Sequence, residues 1–403
     1  MIRSKKFDLV LVVEYFRSVN AYLSVIKGLK SEFSIGIYEV PQNDSYLRNN
    51  DTSQVEFLNM CQDLGATIIK SEKVETKVLM LPQRPLSNEA ILDIKKTFDA
   101  KTTVLLLGFA YAGIEQQDEI LKHFNFKKAY AVDMDFLSFL AEKREAKKLY
   151  SSIDITEVGL PFKKYPVCDD FSADYILAIP TMFSFYNESD KWSFLESVRD
   201  IFNLLDSSDV IVHKPHNGSE IDQFSSLKAR SILKYIKYFP AIRDILKFNA
   251  KYFPLRKIRR DIAKLYTAYL YDIVLGRTIT MNQAGGSPYI ALEAYIVGVK
   301  KGIIGGTSNT MWGTLFFKLP FYNCVDLAAQ DREHKDKLYG KHKSEKMWDL
   351  NLQYFMVPYC KGRLEFNEAL WEIPSKGSRS GDLVDELRKE IGLCEESAKN
   401  NAG

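Results

Sequence analysis

At 403 residues the chain exceeds one ordinary hydrophobic core, so two domains are expected. Its 46% hydrophobic and 27% charged content excludes a disordered or fibrous protein, and a net charge of +3 excludes a general nucleic-acid footprint. Five scattered cysteines (Cys61, Cys168, Cys324, Cys360, Cys394) without a CxxC pair exclude a disulfide framework or zinc cluster and fit a reducing compartment.

MIRSKK leads directly into FDLVLVV, too short for a secretory core, and no apolar run approaches the ~20 residues of a spanning helix. The expectation is a cytoplasmic protein without an export signal. Apolar, β-branched runs then recur at 7–13, 33–40, 66–71, 102–110 and 128–135, separated by helix-period stretches such as VNAYLSVIKGLKSEF and NEAILDIKKTFDA. This alternation reads as a parallel sheet covered on both faces. The segment 155–171, ITEVGLPFKKYPVCDDF, carries two prolines, a glycine and no sustained period, and reads as a linker. The pattern restarts with SADYILAIPT, the helix KWSFLESVRDIFNLL, DVIVHKPH, RTITMN, a helix through ALEAYIVG, GIIGGTSNT and LPFYNCV.

The division is therefore 1–165, an N-terminal Rossmann-like domain; 166–375, a second such domain with a basic helical insert at 219–276; and 376–403, a C-terminal helix and tail. Two doubly wound domains facing each other place ligands at the carboxyl ends of their strands.

Three places at strand ends carry chemistry. In GIIGGTSNTMWGTLFFKLPFY, a strand gives way at Gly306 to Thr307, Ser308, Asn309 and Thr310, which open a helix. Glycine admits close backbone approach, and hydroxyls with exposed N–H groups suit an anion as well as a simple cap. No GxxxxGK[ST] or GxGxxG is present, which disfavours ATP and dinucleotides. In VIVHKPHNG, the pleat takes His213 with the strand while Pro215 turns His216 outward; His216 and Lys214 suit a phosphate leaving group, or simply a turn cap and a solvated amine. In KAYAVDMDF, Asp133 and Asp135 share a face of the strand end, as a general base or as helix caps. Glu14 and Arg17 follow the first strand and would line the cleft or be solvated.

With these residues the chain resembles the GT-B glycosyltransferases of bacterial surface-polysaccharide synthesis, in the branch using CMP-activated sialic acid or Kdo, with the CDP-glycerol polymerases as cousins. VDMDF stands where that family carries an acidic cluster, without its glycine, and KPHNG inverts a His-Pro order. TSNTMWGTLFFKLPFY matches a Ser/Thr-opened helix ending in a small turn, and ILAIPT looks like the family's first C-domain strand. The resemblance implies Asp135 or Asp133 as base, His216 with Lys214 toward the donor phosphate, and Gly306 to Thr310 around phosphate oxygens. It implies no cofactor and no metal, although DMD has the letters of a DxD site. Glu157, in ITEVGLP near the linker, keeps a retaining route through a covalent adduct open.

Residues 228–264 carry twelve Lys/Arg against Asp244 and Asp261 alone, interleaved with Phe, Tyr, Ile and Leu. Such a segment suits an anionic membrane surface or a helical hairpin packed on its own domain; no RNA-binding signature accompanies it. The expectation is a peripheral inner-membrane enzyme that moves a sugar from a nucleotide donor to a glycan or lipid-linked glycan. A CDP-glycerol-type glycerophosphotransferase and a non-enzymatic binding protein are the alternatives.

Overall fold

A computed structural model describes residues 5–13, 21–40, 51–70, 73–82, 88–107, 118–131, 153–159, 164–179, 188–215, 240–252, 256–288, 290, 292–305, 319–324 and 382–400. The chain divides into two compact units. The first comprises Met1–Asp169, Tyr289–Val297 and Pro374–Gly403; the second comprises Asp170–Pro288 and Gly298–Ile373. The sequence sets boundaries at 165 and 375; in the structure 289–297 and 374–403 belong to the same unit as Met1–Asp169.

In the first unit the described elements are β1 (Lys5–Val13), α1 (Ala21–Leu29), β2 (Ile35–Glu39), α2 (Asp51–Asp63), β3 (Thr67–Ile68), β4 (Val74–Pro82), α3 (Asn88–Thr97), β5 (Phe98–Leu107), α4 (Asp118–His123), β6 (Lys128–Ala131) and β7 (Asp154–Glu157). Its seven strands pair in parallel in the order β3-β2-β1-β4-β5-β6-β7. Leu9 to Val13 of β1 are fully buried, as a central strand covered on both faces requires.

Two strands depart from the sequence reading. β4, central in the sheet, begins with the charged Glu75 and Lys77, which hide its apolar second half; Lys77 is held by Asp8 of β1 at 2.6 Å. β7 overlaps the start of the segment read as linker. It is an edge strand of four residues, and DITE has too little apolar content to signal one. The helix expected to run to Ala100 stops at Thr97, because Phe98 already belongs to β5 and packs edge-on against Tyr38 at 5.0 Å.

The second unit contains β8 (Ala173–Ala178), α5 (Glu188–Phe202), β9 (Ile211–Lys214), α6 (Pro240–Tyr252), α7 (Arg256–Leu275), β10 (Ile279–Thr280), β11 (Val299–Gly305) and β12 (Phe321–Asn323). Its sheet is again fully parallel, in the order β10-β9-β8-β11-β12. One face carries Tyr175, Leu177, Ile179, Ile211 and Ile304 against Phe194, Leu195, Val198 and Phe202 of α5 and Tyr266, Tyr269, Leu270, Tyr271 and Val274 of α7. The second helix of the basic insert is thus a core crossover from β9 to β10. Arg277, just after it, donates to the carbonyls of Phe202 and Asp206 at 2.8 and 2.7 Å and satisfies the end of α5.

The helix expected at ALEAYIVG is two 3-10 turns, Leu292–Ala294 and Ile296–Gly298. Leu292, Ala294, Tyr295 and Ile296 are buried, and the second turn runs directly into β11 at Val299.

The C-terminal helix α8 (Leu383–Asn400) packs on α1 and β4 of the first unit and extends through EESAKN, read from sequence as tail. Asp382 caps it, its Oδ1 accepting from the Val384 amide at 2.8 Å. Leu383, Val384, Leu387, Ile391 and Cys394 form its buried stripe. Gly28 of α1 permits the approach, since a Cβ there would lie 2.7 Å from Val384 Cγ1. Around the rim, Arg388 binds Glu32 through Nε and Nη2, Lys164 meets Asp385, and Lys128 reaches Glu386 and Glu390.

Candidate functional site

Both sheets reverse their strand order once, between β1 and β4 in the first unit and between β8 and β11 in the second. At such a point the chains leaving neighbouring strands diverge and open a crevice beyond the carboxyl ends. The sequence candidates are best judged by where they stand on those two edges.

On the second sheet the register defines the edge. Thr280 pairs with His213, which pairs with Leu177; Lys214 pairs with Ala178, which pairs with Gly305. Lys214 and Gly305 thus flank the end of β8, two strand spacings or about 10 Å apart. Gly305 is itself dictated by packing: a Cβ there would meet the Ala178 carbonyl oxygen at 2.7 Å. Its own carbonyl accepts from the Cys324 amide at 2.7 Å, so the strand end is held on both sides. The sequence reading placed weight on Gly306 and missed Gly305; the Gly-Gly pair after two isoleucines was the available signal.

The two histidines of VIVHKPHNG part company. His213 follows the pleat into the core layer, where its ring meets Tyr271 edge-on at 6.1 Å and 86°. Its Nε2 is buried without a hydrogen-bond partner among the described residues. Burial, with the neighbouring Lys214 charge, pushes its pKa down to about 4, so it is a neutral interior group at physiological pH. Lys214 is also buried, and its Nζ donates to the Pro288 carbonyl at 2.7 Å and the Pro215 carbonyl at 3.1 Å. These bonds tie the 286–288 turn to the end of β9 and fix a positive charge at the sheet edge, beside the switch point. His216 lies outside the described residues, as do Gly306, Thr307, Ser308, Asn309 and Thr310.

On the first sheet Val13 ends β1 at the switch point, paired with Glu39, and Ala131 ends β6, paired with Glu157. Glu157 is half-buried at the last position of the outer strand β7. Glu14, Arg17, Asp133 and Asp135 lie outside the described residues. The ends of β1 and β6 are separated by three strand spacings, about 14 Å. Among the described residues no three His, Cys, Asp or Glu side chains converge as a metal-holding group, and no helix is long and apolar enough to cross a membrane.

No family model matches the chain, and no curated protein does. Among solved structures it aligns with a glycosyltransferase from Rickettsia africae ESF-5 over 99% of this chain and 100% of that one, at 13% identity and a TM-score of 0.35. It also aligns with a UDP-glucosyltransferase from Polygonum tinctorium, described as capable of glucosylating indoxyl and solved with 3,4-dichloroaniline, over 98% and 99% of the two chains at 10% identity and a TM-score of 0.38.

Proposed function

We propose that the chain is a glycosyltransferase that takes a sugar of the sialic acid or Kdo type from a nucleotide donor, CMP-linked by preference, and passes it to a glycan acceptor in bacterial capsule or lipopolysaccharide synthesis. The observation that carries this reading is the carboxyl edge of the second sheet. There the switch point between β8 and β11 leads through Gly305 into GTSNT, with the Lys214 charge two strands away. Backbone amides at such a turn suit a phosphate, and a cation beside it suits a departing nucleotide.

In this reading His216 and the 306–310 turn receive the nucleotide. The acceptor hydroxyl loses its proton to Asp135 or Asp133 and forms the new bond to the anomeric carbon, while the bond from that carbon to the donor phosphate oxygen breaks, with inversion. Neutralisation by the turn and by side chains leaves no step that calls for a metal.

The test is a thermal-shift panel with CMP, CDP, UDP, GDP and ADP on the intact chain and on His216→Ala. A ligand at a hundredfold excess over its Kd stabilises by about 2.7 kcal/mol, or roughly 5–10 °C for a unit of this size. A CMP-selective shift that shrinks in His216→Ala supports the reading. A shift with UDP or GDP alone moves the donor class, and no shift with any nucleotide overturns the reading. Product mass from a CDP-glycerol incubation separates glycerophosphate transfer from glycosyl transfer.

A further inference from the structure

In α6 the side chains of Ile245, Phe248 and Tyr252 are 57%, 63% and 58% exposed. Spacings of three and four put them on one face of the helix, and the Phe248 and Tyr252 rings touch with centroids 5.1 Å apart. The other exposed large apolar residues among those described, Val55, Leu92, Leu204, Val210, Val297 and Leu393, do not form such a run along one helix face, and isolated ones are ordinary. α6 packs on α7, and α7 in turn on α5. The flank of α6 nearer α5 is polar: Asp244 and Lys247 line a pocket there with Glu196, Arg199, Asp200, Asn203 and Tyr266, and Lys247 binds Glu196 at 2.5 Å.

The sequence segment that contains this stripe is one-sided in charge. Residues 228–264 carry a net charge of +10 in a chain whose total is +3, so the rest of the molecule is net acidic. Along α6 itself a cation recurs every fourth position, at Arg243, Lys247 and Lys251.

We infer that α6 is a docking helix for an anionic lipid bilayer, with Ile245, Phe248 and Tyr252 entering the boundary between headgroups and acyl chains and the cations of the same helix holding the lipid charge. An aromatic and aliphatic stripe within a cationic segment is what that boundary selects, the apolar groups setting depth and the cations setting lipid preference. Nucleic acid would match the charge but leaves three large apolar side chains in water. The inference stands on the helix surface and is independent of any nucleotide at the sheet edge.

The experiment is co-sedimentation of the full chain with phosphatidylcholine vesicles and with vesicles of equal parts phosphatidylcholine and phosphatidylglycerol, for the wild type and for Ile245→Ser/Phe248→Ser/Tyr252→Ser. The wild type is expected to bind the anionic vesicles and to be released by high salt. The triple variant is expected to partition roughly 1,000-fold more weakly, about tenfold per side chain moved from water into the interface. Because the three residues are exposed, the variant keeps its melting temperature and any nucleotide-induced shift. Equal binding by the two proteins, or no binding by the wild type, overturns the inference. So does a marked loss of thermal stability in the variant, which would mean the stripe is covered within the fold. A wild-type dimer that the substitutions convert to monomer, without a change in vesicle binding, would assign the stripe to a second copy of the chain instead.

Discussion

Replacing His213 by Phe should remove a pH dependence from the stability of the second unit. In the folded chain burial and the Lys214 charge hold the imidazole pKa down at about 4, against 6.5 for an exposed histidine. The unfolded chain therefore binds a proton that the folded chain refuses throughout the window between those values. The sign follows: the stabilising contribution is complete above pH 6.5 and is lost as pH falls toward 4. The limit is the pKa difference times 1.36 kcal/mol, about 3 kcal/mol, and roughly 2 kcal/mol of it is lost between pH 7 and pH 5. For a unit of this size that is about 4–8 °C of melting temperature. Phe preserves the edge-on contact with Tyr271 and removes the titrating nitrogens, one of which, Nε2, has no described hydrogen-bond partner. The assay is urea unfolding at half-unit intervals from pH 4.5 to 7.5, with the wild-type minus variant difference plotted against pH. A difference that narrows toward high pH and widens by about 2 kcal/mol toward pH 5, always in the variant's favour, confirms the buried neutral imidazole. A flat difference would falsify it, because an imidazole with an ordinary pKa gives no linkage.

Three further outcomes follow from the first unit. Leu387→Ala, at the fully buried centre of the α8 stripe, should lower stability by about 2–5 kcal/mol in urea unfolding and expose α8 to early hydrogen exchange. Gly28→Ala should cost about 1–3 kcal/mol by the same measurement, because the new methyl meets Val384 Cγ1 at 2.7 Å and the Tyr165 ring at 3.1 Å. Tyr22→Phe should be neutral or stabilising by up to about 1–2 kcal/mol, since the Tyr22 hydroxyl is buried with no hydrogen-bond partner among the described residues. A clear destabilisation there would reveal a partner for that hydroxyl.

How much of this was legible in the sequence depends on burial. β1 announces itself as a continuous apolar run, and β5, β8 and β11 through the stretches VLLL, YILA and GIIG at their carboxyl ends, where both faces of the parallel sheet are covered. β4 is equally central, yet its first half carries Glu75 and Lys77, whose charge is compensated by tertiary partners that no local window contains. β7 sits at an edge and needs little apolar content. The docking of α8 was illegible for a related reason: the stripe Leu383, Val384, Leu387, Ile391 signals a buried face but not which sheet buries it. α1 supplies one wall through Gly28, and β4 supplies the floor.

The site was legible as position more than as contact. The pleat carries His213 into the core layer against Tyr271, and Lys214, which the sequence left either as a phosphate partner or as a solvated amine, is buried on carbonyl oxygens. The sequence could not say that the Lys214 ammonium reaches back to the Pro288 carbonyl, a partner 74 residues away brought near only by the β9 to β10 crossover. That bond changes what Lys214 contributes. An amine anchored on two carbonyls is a fixed charge that neither swings toward a ligand nor leaves with one, so its effect on a phosphate at the switch point is a constant electrostatic bias over about 10 Å rather than a direct contact. On the proposed function the direct contact falls to His216, which lies outside the described residues. Lys214→Met should accordingly weaken nucleotide binding only modestly and mainly at low salt, where a distant charge is least screened, whereas His216→Ala should weaken it at every salt concentration. Equal salt dependence in the two variants would show that Lys214 touches the ligand and that its carbonyl partners release it on binding.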